Sequence, residues 1–159
     1  MVAVSTTVPP RCGLYRTTRP LDGVPAGVLV NLHTHDRPVV FLPHFNSFNR
    51  WEWERVPHHV RERGWLESLR PLPAEGFYVL RARLEFHEVA WPSRSLVQLG
   101  YDRAGNGLLF LAQRRFQLAE NALFFAEVGV PLDPSQLDQL EPLVVFEEPD
   151  PDAAGAEVT

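Results

Sequence analysis

Lysine and isoleucine are missing from this chain, and cysteine and methionine occur once each. No apolar run approaches the roughly 18 residues of a membrane span. Each absence narrows what the protein can be. With Cys12 alone there is no intrachain disulfide, which fits a reducing compartment. All fifteen basic residues are arginines, the habit of a GC-rich coding sequence, so their number is weak evidence for phosphate binding. The formal net charge of −5 at pH 7 argues the same way, against a nucleic-acid footprint. The start M-V-A-V-S-T-T-V-P-P-R-C has neither the basic n-region nor the apolar stretch of a signal peptide. A soluble cytoplasmic protein is therefore expected. No H-E-x-x-H, phosphate loop, G-x-S-x-G or C-x-x-C is present.

What is abundant is punctuation. Fifteen prolines and ten glycines cut the 159 residues into apolar runs mostly four to seven long, the pattern of an all-β protein. The runs also recur in order. Gly13-Leu14-Tyr15 returns as Gly76-Phe77-Tyr78, and Val24-Pro25 as Trp91-Pro92. Leu29-Val30-Asn31-Leu32 returns as Leu96-Val97-Gln98-Leu99, and Val40-Phe41-Leu42 as Leu109-Phe110-Leu111. Asn49 to Trp53 is echoed by Asn121 to Phe125, and Leu66 to Leu72 by Leu137 to Leu143. The spacing drifts between runs and never inside one, as insertions confined to loops would produce.

The reading is an all-β chain of two degenerate tandem repeats, 13–73 and 76–146, packed together. A flexible segment, 1–12, is expected before them and a disordered acidic tail, 147–159, after them. Each repeat is expected to hold five strands with one turn of helix or 3₁₀ before the last. That arrangement resembles a small SH3-like barrel, a likeness of fold only. Trp53 is expected in the core of the first repeat, and the repeats are expected to meet through the apolar strands Val39–Leu42 and Leu108–Leu111.

The segment L-H-T-H-D-R-P, from Leu32 to Pro38, is the main chemical question. Its H-x-H resembles the opening of amidohydrolase-type and polymerase-histidinol-phosphatase-type metal sites. Those families imply a much longer α/β barrel with further ligands downstream. By the repeat, the segment stands where Gly100 to Gly107 stands, whose glycines and Asn106 suit a hairpin loop. H-T-H-D is therefore read as a hairpin loop.

Other pairs carry bland readings. His58-His59 suits a surface connection, and Glu85 with His87 an exposed strand face. Arg114-Arg115 is too small for nucleic acid, and Cys12 shows no base or orienting partner in the sequence.

The expected function is a non-catalytic protein- or peptide-interaction module needing no cofactor. Tryptophan-rich and histidine-rich loops of the first repeat are its expected contact surface: His33, His35, Asp36, His44, Arg50, Trp51 and Trp65. The alternative is a small metal-dependent hydrolase or isomerase with His33, His35 and His44 as ligands.

Overall fold

The structure is a computed structural model that describes residues 10–86, 89–114 and 123–145. The first half carries strands β1 (Gly13–Arg16), β2 (Leu29–His33), β3 (Val39–Phe41), β4 (Pro43–Ser47), β5 (Arg50–Trp53) and β6 (His58–His59). Helix α1 (Arg63–Glu67) and β7 (Arg70–Pro71) complete it. The second half carries β8 (Gly76–Leu80), β9 (Leu84–Phe86), β10 (Val89–Trp91), β11 (Leu96–Tyr101) and β12 (Gly107–Gln113). After these come β13 (Phe124–Phe125), β14 (Val130–Pro131), a 3₁₀ turn (Pro134–Gln139) and β15 (Leu140–Pro142). The architecture is all-β, as the punctuation implies. The tail 147–159, His87 and Glu88, Arg115, and Asn121 with Ala122 lie outside the described residues.

The strands form several antiparallel sheets, and none closes into a barrel. One sheet runs β6-β3-β2-β1-β7. The other runs β13-β12-β11-β8-β15, with β14 also on β12. β4–β5 and β9–β10 are separate two-stranded hairpins. Closed five-stranded barrels were the expectation, and the reason for the difference is local. β5 pairs with β4 alone, across a ladder that is irregular between Pro43 and Phe45, and β13 pairs only with β12, so in neither half does this strand reach the far edge of its sheet.

The two sheets share strand order and register at the ladders themselves. Gly13 faces Leu32 and Tyr15 faces Val30, while Gly76 faces Leu99 and Tyr78 faces Val97. Across the next ladder Asn31 faces Phe41, and Gln98 faces Phe110. Pro71 lies beside Tyr15 as Pro142 lies beside Tyr78. Pro43 faces Trp53, and Ala112 faces Phe125. Each Gly-aromatic-Tyr strand makes the same anchor. The Tyr15 hydroxyl donates to the Arg11 carbonyl at 2.8 Å, and that of Tyr78 to the Ala74 carbonyl at 2.7 Å.

Side-chain alternation divides the apolar residues between two cores. Tyr15, Val24, Val30, Leu32, Val40, Val60, Trp65 and Leu69 form the first. Tyr78, Leu80, Leu84, Trp91, Val97, Leu99, Tyr101, Leu109, Leu132 and Leu140 form the second. Leu29 points the other way from Val30 and joins the second core, where Leu14, Leu72, Trp51 and Trp53 also pack. The first sheet is thus covered on both faces, which explains its apolar run Val28–Leu32.

Two expectations change here. Trp53 packs half-buried against the second core and not inside the first. The halves meet through β1, β2 and the β4–β5 hairpin, whose Leu14, Leu29, Trp51 and Trp53 pack on the second core together with Leu109 and Leu111 of β12, while Val40 of β3 lies in the first core. The hairpin tip has Phe48 and Asn49 at positive φ (52° and 62°), the backbone of a tight hairpin turn. There the Gln98 side chain donates to the Phe48 carbonyl at 2.9 Å and accepts from the Asn49 amide at 3.0 Å. Gln98 is buried, so its pairing avoids the cost of an unsatisfied amide.

Candidate functional site

The residues singled out from the sequence fall in three environments. His33, His35 and Asp36 are exposed at and beyond the end of β2, in the connection to β3, a hairpin turn. The His33 ring meets Phe41 edge-on, with centroids 5.1 Å apart. His44 is exposed on β4, and its carbonyl accepts from Arg103 at 2.8 Å. Among the described residues no three His, Cys, Asp or Glu side chains group as metal ligands, so His33, His35 and His44 are not brought together.

Arg50 is exposed at the start of β5. Trp51 is half-buried between the halves: its indole N–H donates to the Tyr101 carbonyl at 2.8 Å, and the Arg103 guanidinium lies 5.1 Å from its ring centroid. Trp65 is only 1% exposed, with its N–H donated to the Arg19 carbonyl at 2.9 Å. It is a core residue with almost no surface to offer a partner, because α1 turns its indole into the first core.

Two grooves take comparable places on the two sheets. On the first, a groove of about 730 Å³ is lined by Pro20, Asp22, His58, His59, Arg61 and Glu62 among others. It lies between the loop after β1 and the chain around β6. Its lining mixes polar and apolar surface, and its wall is tightly set. Gly23 has φ +75°, and a Cβ there would sit 2.9 Å from the His58 ring. His58 Nε2 is 4.0 Å from a Glu54 carboxylate oxygen.

On the second sheet the corresponding groove holds about 710 Å³ and is apolar. Phe86, Val89, Trp91, Leu111, Val128 and Val130 line it, with Gln113 and Ala126. The matching position of the two is visible in the ladders, where His58 faces Val40 and Val130 faces Leu109. Val128 is 80% exposed at the rim and Trp91 is 5% exposed. The Trp91 indole N–H has no acceptor among the described residues. It is also not sealed among the buried unpaired atoms, where Glu75 Oε1 stands. The sequence signal for this site was the match of Val24-Pro25 to Trp91-Pro92, where the later run carries the larger side chain.

Five ionisable groups outside the expected set also have structured surroundings. Burial raises the Glu75 carboxyl above its ordinary range, against the lowering effects of the Trp51 N–H and the Arg50 charge. Burial likewise raises the phenols of Tyr78 and Tyr101, for Tyr101 with Tyr78 and Glu75 adding. Cys12, without a visible partner in the sequence, lies against Thr34 and His35. Glu85 is paired with Arg83 at 3.2 Å. Among the described residues no helix is long and apolar enough to cross a membrane.

Comparison of the chain with protein-family models, with curated proteins and with solved structures finds no match.

Proposed function

We propose that this chain is a non-catalytic, cytoplasmic interaction module made from two copies of one five-stranded SH3-like unit, and that the second copy's groove binds an extended peptide with apolar side chains. Support for two copies comes from the common order, in which the first strand lies between the second and the last. A short helical or 3₁₀ turn before the last strand, α1 in one and Pro134–Gln139 in the other, adds to it. The units are open relatives of a small barrel.

One observation carries the binding reading: an apolar groove lined by the nearly buried Trp91. Apolar walls with a few placed polar groups are the usual make-up of a ligand site. An extended peptide supplies both complements, side chains for the walls and a backbone carbonyl for the indole. The surface proposed from sequence shifts accordingly from the first copy to the second, since Trp51 and Trp65 are occupied within the protein.

Selection from a random peptide library on the full chain tests this. Enriched peptides should share apolar residues and lose binding to Val128→Asp, which alters an exposed rim position. Trp91→Phe should weaken them by up to about tenfold, the worth of one hydrogen bond. No enrichment, or peptides that bind Val128→Asp equally well, would remove the proposal.

A further inference from the structure

A small cavity opens at the junction of the halves, where the end of β1 and β7 meet the turn between β11 and β12. It holds about 30 Å³ and has two unlike ends. Leu72, Leu132 and Leu137 supply apolar surface, while Arg16, Arg70 and Asn106 supply polar groups. Leu132 is buried, whereas Arg70 and Asn106 are exposed, so the apolar part lies inward and the charge stands at the mouth. Glycine makes the space. The backbone of Gly105 and Gly107 forms a wall, and a Cβ on Gly107 would lie 3.5 Å from Leu132 and 3.7 Å from Leu137.

Register puts the two arginines together. Arg16 faces Arg70 across the β1–β7 ladder, so both side chains rise from one face. By alternation it is the face that carries Leu14 and Leu72 onto the second core. Like charges directly opposite each other on a ladder are destabilising. Among the described residues neither guanidinium is in an ion pair. Arg16 donates to the Asn106 side-chain oxygen at 3.3 Å, a neutral acceptor. The carboxylates of the flanking turns are used within those turns: Asp102 accepts from Asn106, and Asp133 from Ser135. On the second sheet the same ladder position holds Val79 and Glu141, so the shared register does not by itself require paired arginines.

We propose that this cavity binds a small carboxylate on a short apolar stem, with Arg16 and Arg70 on the carboxylate and the leucines around the stem. Two neighbouring guanidinium forks match the oxygens of a carboxylate, and its charge relieves their mutual repulsion. Apolar walls with a few polar groups suit the stem. A cavity of about 10–15 Å³ holds one water, so this one limits the stem to about three carbons. A free short-chain acid and the C-terminus of a peptide ending in alanine offer the same chemistry.

Isobutyrate titrated into the full chain, followed through the amide resonances of Gly105 and Gly107, tests the site. Both resonances should shift and saturate, and isobutyramide, which has the shape without the charge, should bind at least about tenfold more weakly, the loss of charge-assisted hydrogen bonds. Arg70→Gln, at an exposed position, should weaken isobutyrate by a similar factor. Arg70→Lys keeps the charge without the fork and should recover only part of the loss. Gly107→Ala narrows the cavity and should weaken isobutyrate more than acetate. An acetylated tripeptide ending in alanine separates the sources: tighter binding than isobutyrate assigns a peptide terminus, and equal or weaker binding a free acid. No saturable shift with isobutyrate, equal binding of isobutyramide, or inorganic phosphate binding as tightly would overturn the proposal. Wild-type affinity in Arg70→Gln would overturn it as well. The groove lined by Trp91 shares none of these residues, so the two proposals fail independently.

Discussion

The indole N–H of Trp51 on β5 reaches across to the carbonyl of Tyr101, the last residue of β11, at 2.8 Å. This bond belongs to a clasp. Arg103 sends one guanidinium nitrogen to the Pro43 carbonyl at 2.7 Å and another to the His44 carbonyl at 2.8 Å. The Leu29 N–H donates to the Arg103 carbonyl at 2.9 Å. The β4–β5 hairpin of the first half is therefore held against the second half by hydrogen bonds as well as apolar packing.

Arg103→Ala should destabilise the protein by about 1–3 kcal/mol, since it removes two charge-assisted hydrogen bonds and a ring contact. Gly100→Ala attacks the same clasp sterically. A Cβ there would stand 3.0 Å from the Asn49 backbone oxygen, so the hairpin tip must shift. Both variants should lower the denaturant midpoint and alter tryptophan fluorescence. Wild-type midpoints would show that the hairpin is not clamped in solution.

Among the tryptophans, Trp65→Ala should be the most damaging, at about 3–5 kcal/mol for a large core side chain. Trp53→Ala should cost less, because Trp53 is half-buried at the junction. Urea unfolding of both variants ranks them, and the reverse order would contradict the packing described above.

Glu75 sets a pH dependence. Its folded pKa is raised, chiefly by burial, so its contribution to stability is present below the unfolded value, near the ordinary 4.5, and is lost as pH rises through the folded pKa. At neutral pH the enclosed charge is a penalty, and its Oε1 has no hydrogen-bond partner. Glu75→Gln should therefore raise the melting temperature relative to wild type at pH 7, with the gap narrowing towards pH 4. Arg50 and the Trp51 N–H oppose the shift, so Arg50→Ala should enlarge it. A gap independent of pH would refute the assignment.

Residues 1–73 alone should not fold stably. Leu14, Leu29, Trp51, Trp53 and Leu72 pack on the second core and would be left facing water. About 60 ordered residues bury only about 60% of their unfolded surface in any case. Circular dichroism and size-exclusion chromatography of the fragment check this; a cooperative melt of a monomeric fragment would contradict it.

The sequence by itself determined the all-β class and several of the strands. Gly13, Tyr15, Leu32, Phe41 and Pro71, with their later counterparts, were legible because alternation, proline and glycine act within a few residues of where they stand. The H-T-H-D turn was read instead from its alignment with Gly100 to Gly107. Only the tertiary structure decided which core each face serves. Leu29 and Val30 are equally apolar in sequence, yet they point into different cores, because that depends on what docks behind the sheet. Trp51 and Trp53 crossed to the other half, the sheets stayed open, and Trp65 went inside. Cys12 gained Thr34 and His35, and Trp91 came to line a groove formed from three separate segments. Each of these is a contact between residues far apart in the chain, set by ladder register and packing, and local periodicity carries no record of it.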